Sequence, residues 1–453
     1  MSRALLVDLY ELTMAASYHA EAMFGASTFE LFFRELPPVR NYLVACGLEE
    51  ALDYLASLRF TRGDLAYLAG LGIFPAGFLD YLGDLRFTGD VWAVAEGEVV
   101  FPSEPVLRVA GPLIEAQIVE TFLLNCINFS TAVASKATRV ATVCGPRSFV
   151  DFSARRDHGA DAALLAARAS YIGGAAATSN VLAGRRFGLP LSGTMAHSYV
   201  LAFPDEAAAF RAFARRFPTG AVLLIDTFDT LQGARTAAAV AKELAAEGVI
   251  VRGVRVDSGD LAALAPAVRA ILDEAGQTGV EIFASGDLDE YRIAALLEAG
   301  APVDGFGVGT QLGTSGDAPA LGGVYKLVED LSGPKSKTST GKATLPAVKQ
   351  VYRLDEGGAG VRDLIAPATA PAPAGGRPLL APVMERGRRV GPAPELAEAR
   401  ARCRAALGAL PARLLSLEPA RPAYPVEVSA ALTVRRQGGP GGSSSPAERS
   451  GAG

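Results

Sequence analysis

The sequence predicts an α/β protein built around a parallel sheet or barrel. From about residue 114, five short apolar segments alternate with alanine-rich segments of helical periodicity. Each apolar segment ends in a cluster of Asp, Ser, Thr or Gly. Both observations are typical of βαβ units, in which helices connect parallel strands. The length of 453 residues and the 50% share of hydrophobic residues are sufficient for two or more packed units.

The N-terminal part mixes helical and strand patterns. Residues 8–22 have a helical pattern that an acidic cap opens, and residues 27–33 are the β-branched and aromatic residues typical of a strand. Strand-like pieces separated by turn residues follow between Gly89 and Gly111. We therefore assign residues 1–113 to an N-terminal α/β domain, and we expect part of the C-terminal region to join it.

The next unit, residues 114–328, is predicted to be the α/β barrel domain. It opens with a helical pattern over residues 114–125. Helices are expected over residues 236–247, 261–274 and 289–299. The strand candidates are RSFVDFS, GAVLLIDTF, VIVRGVRVDSG, VEIFASGD and VDGFGVGT.

The alternation weakens after this domain. Residues 329–436 form a C-terminal region with a predicted helix over residues 395–407. The last segment, residues 437–453, reads QGGPGGSSSPAERSGAG. Because it has few apolar groups to offset the entropy of ordering, we predict that it is disordered.

Composition excludes several classes of protein. A net charge of -5 argues against a nucleic-acid surface, because such domains are usually basic. The first residues are interrupted by Asp8 and Glu11, so they do not form a secretory signal, and no uninterrupted apolar run is long enough for a membrane span. We expect a cytoplasmic protein. A disulfide framework or zinc knuckle is not expected, because the four cysteines are far apart: Cys46, Cys126, Cys144 and Cys403.

Glycine-rich turns follow two successive strand candidates. Ser285-Gly286-Asp287 follows EIFA, and Gly307-Val308-Gly309-Thr310 follows VDGF. Glycine lets a phosphate approach the backbone, and the N-terminus of the following helix favours an anion. The pair indicates a phosphate site, although either turn alone is also explained as a plain connection.

Acidic residues also end strand candidates. Asp226 and Asp257 each follow a strand directly, which favours binding of ribose hydroxyls or Mg²⁺. Asp229 and Asp260 are interpreted as helix N-caps.

Two further segments can contact a charged ring or a phosphate. In DFSARR, Phe152 and Arg155 can hold a flat anionic ring by stacking and charge pairing, although a solvated pair of arginines is the alternative. His197 lies in GTMAHSYV, before the strand-like SYVLAF. It is either functional or a buried, hydrogen-bonded histidine.

An ordered set of motifs resembles the nicotinate phosphoribosyltransferase family. The set extends from about Leu5 to about Val428 and comprises LLVDLYELTMA, FFRELPPVRNYLVACGLE, DFSARR, GTMAHS, RVDSGDL, ASGDLDE, GGVYKLVE, GKATLPAVKQVYR, LLAPVME and LPARLLSLE. The resemblance implies an irregular TIM-like α/β barrel with a second α/β sandwich domain built mainly from the N-terminal segment. It also implies a head-to-tail homodimer with shared active sites.

The resemblance further implies the reaction and its co-substrates. Nicotinate and phosphoribosyl pyrophosphate would give nicotinate mononucleotide and pyrophosphate, as a step of NAD salvage. Mg²⁺ would assist, and ATP would be hydrolysed through a phosphorylated histidine, His197 by its position in GTMAHS. No nucleic acid or membrane partner is implied.

Site residues are implied position by position. Phe152 would stack on the pyridine ring, Arg155 would meet the ring substituent, and Tyr10 of the neighbouring subunit would close the other face. Arg255 and Asp257 would hold the phosphoribosyl group. The 5-phosphate would lie on Ser285, Gly286, Gly307 and Gly309, and Asp226 would lie on the Mg²⁺–pyrophosphate side.

Three alternatives differ in substrate or class. Nicotinamide phosphoribosyltransferases carry Asp where this chain has Ser179, and that charge would repel a carboxylate. Quinolinate phosphoribosyltransferases are shorter and need more basic residues for a diacid. A non-catalytic nucleotide-binding barrel would not need His197, Arg155 and Asp257 together. One departure from the family is Ser153, where Gly often follows the Phe of DFSARR.

Overall fold

The computed structural model describes residues 3–337, 339, 344–357 and 359–437. Residues 438–453, nearly all of the predicted tail, therefore lie outside the described residues. The strands are β1 (Ala26–Phe33), β2 (Leu43–Val44), β3 (Asp90–Val94), β4 (Val99–Val100), β5 (Pro105–Pro112), β6 (Ser148–Asp151), β7 (Ala177–Thr178), β8 (Ala221–Leu224), β9 (Val251–Val256), β10 (Glu281–Ala284), β11 (Gly305–Val308), β12 (Gly323–Asp330), β13 (Gly333–Pro334), β14 (Lys349–Glu356), β15 (Ala359–Pro367), β16 (Gly376–Pro378), β17 (Leu380–Glu385), β18 (Arg388–Arg389) and β19 (Val426–Val428).

The helices separate these strands along the chain. They are α1 (Leu9–Ala20), α2 (Leu48–Ser57), α3 (Arg62–Gly70), α4 (Ala76–Asp84), α5 (Leu113–Gln117), α6 (Glu120–Cys144), α7 (Ala160–Ile172), α8 (Val181–Phe187), α9 (His197–Leu201), α10 (Glu206–Arg216), α11 (Thr230–Ala245), α12 (Leu261–Glu274), α13 (Glu290–Glu298), α14 (Thr310–Gly313), α15 (Leu396–Gly408) and α16 (Ala430–Gln437). A 3₁₀ turn covers Ala412–Leu415.

The N-terminal unit is built on a seven-stranded sheet with the order β13-β12-β1-β5-β3-β17-β18. Each neighbouring pair in it is antiparallel. Its strands come from three separate segments of the chain, because β12, β13, β17 and β18 follow the barrel in sequence. Residues 323–328, which the sequence prediction assigned to the barrel, pair with β1 in this sheet.

The second unit is a six-stranded sheet with the order β7-β6-β11-β10-β9-β8, in which every pair is parallel. The five predicted strands of the barrel form β6 and β8 to β11, and helices α11, α12 and α13 connect or follow them. A parallel half-barrel beside a second α/β domain confirms the predicted fold class.

Helix α6 is longer than the sequence pattern indicated. We expected a helix over residues 114–125, whereas α6 alone has 25 residues. The stretch Leu113–Cys144 is apolar and long enough to cross a membrane by composition alone, contrary to the sequence interpretation. However, 72% of its most apolar window is buried in the fold. Helices α2, α7 and α13 pack against α6, as expected for a core helix.

One other local expectation is wrong, and the C-terminal region contains strands that the sequence pattern did not indicate. The strand-like SYVLAF forms the short helix α9 instead, with Ala196 as its N-cap. The loosened pattern after Tyr325 also contains strands: β12 is part of the N-terminal sheet, and β14, β15, β16 and β19 form a separate four-stranded sheet. Helix α15 lies within one residue of the predicted 395–407 helix.

A buried network of charges joins the two units. Lys136 on α6 lies 2.6 Å from Glu290 and 2.9 Å from Asp317, measured from Nζ to the carboxylate oxygens. Arg139 contacts Glu290 at 2.8 Å, and Arg40 contacts Asp317 at 2.9 Å. All five side chains are at most 10% exposed. The network thus fixes the N-terminal segment, α6 and α13 relative to one another.

Candidate active site

The polar residues predicted at the strand ends lie along one edge of the parallel sheet. Asp257 follows β9, Ser285 follows β10, and Asp226 follows β8 after one intervening residue. Parallel pairing of β8, β9 and β10 brings their carboxyl ends together. In open α/β sheets this edge is where ligands bind.

Asp257 lies at the centre of this edge. Its Oδ1 accepts a hydrogen bond from Ser285 Oγ at 2.5 Å and lies 3.9 Å from Nη2 of Arg255. Its Oδ2 lies 4.0 Å from Nε2 of His197. One carboxylate thus contacts a hydroxyl, a guanidinium and an imidazole, which joins three of the predicted site residues.

His197 is held by one ring nitrogen and open at the other. Nδ1 lies 3.1 Å from Oγ1 of Thr227, a hydroxyl that can donate to the ring nitrogen or accept from it, depending on the tautomer. The side chain is 41% exposed, and Nε2 faces Asp257. The imidazole is therefore accessible to a ligand from the open side of the edge.

Arg255 is a cation with unused hydrogen-bonding capacity. Its side chain is 14% exposed, and Nη1 donates to Oγ1 of Thr194 at 2.6 Å. Nε is buried and has no partner among the described residues. Burial lowers the pKa of Arg255, the carboxylates of Asp257 and Asp226 oppose that change, and the nearby charge of Arg155 lowers it further. The two positive charges of Arg155 and Arg255 thus influence each other, and an anion near both would be stabilised.

Asp226 orders the backbone of the neighbouring turn. Its Oδ2 accepts from the Asp257 N–H at 3.0 Å and from Ser258 Oγ at 2.6 Å, whereas Oδ1 is buried without a partner among the described residues. Burial, followed by the charges of Asp226 and Asp229, raises the pKa of Glu206 to about 7. The described residues contain no group of three or more acidic, His or Cys side chains arranged as metal ligands.

Two of the predicted glycines are required by local packing. Gly286 has a φ of +94°, and a Cβ there would overlap with the carbonyl of Asp257. A Cβ on Gly307 would overlap with the ring of Phe152. Gly307 therefore lets that ring lie against β11, a reason that differs from the predicted approach of a phosphate. Gly309 ends β11 as the N-cap of α14.

The DFSARR segment and residue 179 are brought together by Asp151. Its backbone carbonyl accepts from the Ser179 N–H at 2.9 Å, and its Oδ2 accepts from Thr178 Oγ1 at 2.8 Å. Phe152 is half-buried, and Arg155 and Ser179 are exposed. An aromatic ring, a cation and an uncharged hydroxyl thus lie on adjacent strands at the same edge.

The serine that departs from the family pattern forms a buried contact. Ser153 Oγ donates to Oδ2 of Asp157 at 3.0 Å, and Oδ1 of Asp157 is buried without a partner among the described residues. Burial, followed by the charge of Asp151, raises the pKa of Asp157 to about 6. The loop that carries Arg155 is therefore anchored by a carboxyl group that binds a proton unusually tightly.

We predict that Asp157→Asn stabilises the protein more at pH 7 than at pH 4.5. The folded pKa is raised from 3.8 to about 6, so the folded state holds the proton more tightly and stability falls as pH rises through this window. The asparagine variant lacks this loss. We compare the unfolding free energy of the variant with that of wild type at each pH. This difference should be larger at pH 7 than at pH 4.5 by on the order of 1 kcal/mol, after allowance for solvent screening. Urea unfolding at both pH values measures it.

The control for this prediction is Asp161→Asn, a change in an acid that is 83% exposed on the next helix. It should show no comparable dependence on pH. An equal wild-type-to-variant difference at both pH values for Asp157→Asn would contradict the assignment.

Tyr10 lies away from this edge within its own chain. It is on α1 and 47% exposed. Burial raises its pKa well above the ordinary value, and the carboxylates of Glu120 and Glu11 raise it further. None of its described contacts is with a residue at the carboxyl edge of the parallel sheet.

The sequence interpretation missed several residues of the edge. Thr227, Thr194 and Ser258 bind His197, Arg255 and Asp226, respectively, and Glu206 lies beside Asp226. Three of them are adjacent to predicted residues or within predicted motifs: Thr227 follows Asp226, Ser258 follows Asp257, and Thr194 is part of GTMAHS. Glu206 carried no such signal.

Family models and solved structures agree on the relationship of this chain. Residues 5–128 match the nicotinate phosphoribosyltransferase N-terminal domain, and residues 147–326 match the nicotinate phosphoribosyltransferase family. The crystal structure of human nicotinic acid phosphoribosyltransferase is similar, with a TM-score of 0.86, 30% identity and coverage of 95% of this chain and 99% of that one. A nicotinate-nucleotide pyrophosphorylase from Pyrococcus furiosus has a TM-score of 0.74, 26% identity and coverage of 89% and 94%.

Curated relatives are closer in sequence. A nicotinate phosphoribosyltransferase from Mycobacterium tuberculosis is 52% identical over 427 residues, which cover 94% of this chain and 91% of the relative. The Bacillus subtilis nicotinate phosphoribosyltransferase is 47% identical over 361 residues, which cover 78% and 73%. The predicted resemblance is confirmed: the chain belongs to the nicotinate phosphoribosyltransferase family.

Proposed function

We propose that this chain transfers the phosphoribosyl group of phosphoribosyl pyrophosphate to nicotinate, forming nicotinate mononucleotide and pyrophosphate in NAD salvage. The observation that carries the proposal is the convergence of Arg255, Asp257 and His197 at one sheet edge. The names of the relatives support the same reaction. Both substrates are anionic, and the charges of Arg155 and Arg255 act on each other near this edge.

The phosphoribosyl group fits the centre of the edge. Asp257 accepts hydrogen bonds from ribose hydroxyls, and the guanidinium group of Arg255, whose Nη2 has no hydrogen bond among the described residues and lies 3.9 Å from Asp257, donates to a phosphoryl oxygen. Ser285 holds the carboxylate of Asp257 in place. The backbone turns at Gly286 and Gly309 offer N–H groups to the 5-phosphate.

Nicotinate fits beside Phe152. The aromatic ring stacks on the pyridine, and Arg155 pairs with the carboxylate. Ser179 leaves the substituent side without a second anion, in contrast to an aspartate at this position. The arrangement therefore favours the acid over the amide.

Mg²⁺ fits the side of Asp226. The buried Oδ1 of Asp226 has no described partner, and Glu206 lies beside it, so oxygen ligands are available there. When bound, the ion would neutralise the charge that develops on the leaving pyrophosphate. Asp226 also holds the Asp257 and Ser258 turn through two hydrogen bonds.

ATP coupling is proposed to proceed through His197. In the tautomer in which Nδ1–H donates to Thr227, the lone pair of Nε2 attacks the γ-phosphorus of ATP. The bond from that phosphorus to the bridging oxygen breaks and ADP leaves. Water later attacks the phosphorus and releases phosphate. The phosphoryl dianion on His197 would lie beside Asp257 and reorder the groups that bind pyrophosphate.

We expect His197→Ala to lose both the phosphoprotein and the stimulation of transfer by ATP. Wild type incubated with γ-labelled ATP should give an acid-labile, base-stable label. A slow transfer without ATP should survive in the variant, because pyrophosphate is already a good leaving group. Pyrophosphate release with and without ATP measures the second effect.

His158→Ala is the matched control, since His158 is exposed and lies outside the cluster around Asp257. It should retain the label. Labelling of His197→Ala at the level of wild type would refute the phosphohistidine. Release of pyrophosphate from phosphoribosyl pyrophosphate by wild type at the same rate without nicotinate would refute the transferase itself.

A head-to-tail dimer would bring Tyr10 to the edge of the partner subunit. Tyr10 is exposed on α1 and contacts no described residue of its own sheet edge. We therefore expect that mixing inactive Tyr10→Ala with inactive Asp257→Ala restores part of the activity, because one hybrid site is intact. The assay is transfer rate after subunit exchange, which size-tagged subunits verify. Complete exchange without rescue would show that the site is not shared.

A further inference from the structure

A second polar cavity lies apart from the sheet edge, between the N-terminal unit and helix α8. Its volume is about 830 Å³. We call it the arginine cavity, and its lining includes Arg3, Arg59, Arg86, Arg186, Glu50 and Asp53. None of the residues assigned above to nicotinate, phosphoribosyl pyrophosphate or ATP lines it.

The two carboxylates of the arginine cavity are compensated from other sides. Asp53 lies 2.8 Å from Arg389, and Glu50 lies 3.7 Å from Arg168. Neither Arg389 nor Arg168 lines the cavity. Each acid therefore has its nearest ion-pair partner outside the cavity, although the charge of Arg186 also acts on Glu50.

Three of the arginines have no carboxylate closer than 4.0 Å within the described part of the chain. Arg86 donates to main-chain carbonyls of its own segment, and Arg186 lies with its guanidinium carbon 5.1 Å from the centre of the Phe187 ring. Neither has a carboxylate within 4.0 Å among the described residues. Arg3 has a single such contact, at 4.0 Å to an Asp161 carboxylate that is 83% exposed. Exposed contacts of this length contribute little.

The other polar groups of the lining are already bonded. The Ser57 hydroxyl donates to the Asp53 carbonyl at 2.6 Å, and Thr61 forms a capping box at the start of α3. The Tyr54 ring is stacked on Phe122 at 3.8 Å between centroids, so no free aromatic face is offered to a nucleobase. The donors that remain are guanidinium groups, which match phosphoryl oxygens in geometry and charge.

We propose that the arginine cavity binds an oligophosphate anion, through its phosphates and not through a base or sugar. Several guanidinium groups around one space suit a ligand with several linked phosphates, such as a free oligophosphate or the phosphate chain of a nucleotide. Arg86 belongs to the N-terminal unit and Arg186 to the C-terminal turn of α8, which starts just after Ser179. The bound anion joins the two units and stabilises them against separation.

The test uses full-length protein and radiolabelled tripolyphosphate in equilibrium dialysis at fixed ionic strength. In the double variant Arg86→Gln/Arg186→Gln, the affinity of the arginine cavity for tripolyphosphate should fall at least about tenfold. Dialysis should then detect one site fewer per chain than in wild type. The transfer activity of the double variant should remain. Arg255→Gln, which alters the sheet edge, should still bind tripolyphosphate in the arginine cavity. The two variants therefore distinguish binding in the cavity from binding at the sheet edge.

The matched control is Arg252→Gln/Arg362→Gln, which removes the same charge from exposed arginines elsewhere. It should bind tripolyphosphate as wild type does. Tripolyphosphate should raise the melting temperature of Arg255→Gln, and it should raise that of Arg86→Gln/Arg186→Gln by less than that of wild type. Equal stoichiometry and affinity in wild type and Arg86→Gln/Arg186→Gln would overturn the proposal, as would binding of ATP without binding of tripolyphosphate.

Discussion

Replacing Glu290 with glutamine is expected to lower the free energy of unfolding by about 3–5 kcal/mol. Glu290 is completely buried and contacts Lys136 at 2.6 Å and Arg139 at 2.8 Å. Within the buried network, three cations share two anions. Without the Glu290 carboxylate, Arg139 loses its carboxylate partner in the network and Lys136 loses one of its two. Both cations remain buried, where water cannot replace the lost carboxylate.

Lys136→Met should cost less, although it removes a residue of the same network. After that change Glu290 still pairs with Arg139, and Asp317 still pairs with Arg40. Burial alone would raise the pKa of Asp317, yet Arg40 and Lys136 hold it well below its usual range. We therefore compare the loss of unfolding free energy in the two variants. A larger loss for Glu290→Gln indicates that the network has too few anions to tolerate the removal of one.

Urea unfolding at pH 7 measures both effects. The matched control is Glu298→Gln at the exposed end of the same helix, which should change stability by less than about 0.5 kcal/mol. If Glu290→Gln lowered the free energy of unfolding less than Lys136→Met does, the explanation from three cations and two anions would be wrong.

The second large effect is expected in activity. Asp257→Ala should lower kcat/KM for phosphoribosyl pyrophosphate by about 10²–10³-fold, similar to loss of a main electrostatic contact in other active sites. The change removes the acceptor of Ser285 and the carboxylate beside Arg255 and His197. The ribose hydroxyls then have no carboxylate acceptor at the centre of the edge.

Asp260→Ala is the control for this change, only three residues away. Asp260 caps α12 by accepting from the N–H groups of Ala262 and Ala263. Its loss should cost about 1 kcal/mol of stability and leave kcat/KM nearly unchanged. If both variants were equally active, Asp257 would have only a structural role.

Sequence patterns predicted the barrel better than the rest of the fold. Helix α12 has the predicted bounds, because Asp260 caps its start and an apolar periodicity continues to its end. The short helix α9 was missed, because five residues are too few to show a helical period and SYVLAF also suits a strand. The C-terminal sheet was missed although β14 and β15 are close in sequence, because β16 and β19, which complete it, have only three residues each and show no period.

The site was predictable where chemistry follows from position on the sheet. Strand-end residues such as Asp257 and Ser285 were found because parallel strands share one carboxyl edge. Partners such as Glu206 were not found, because it precedes its neighbour Asp226 by a whole helix and a strand. The packing of Gly307 against Phe152 depends on three-dimensional contact between strands and leaves no trace in a local motif.

The interleaved origin of the seven-stranded sheet constrains the order in which this protein is made. Strand β1 pairs with β12, and Ser27 lies opposite Asp330. The hydrogen bonds between these strands can form only after residue 330 has been synthesised. During translation the nascent chain therefore carries an open strand edge while the whole barrel emerges from the ribosome, and such edges template aggregation. The barrel itself has all its strands by residue 308 and can fold first. Until residue 330 has been made, the side of β1 that pairs with β12 therefore lacks its partner strand.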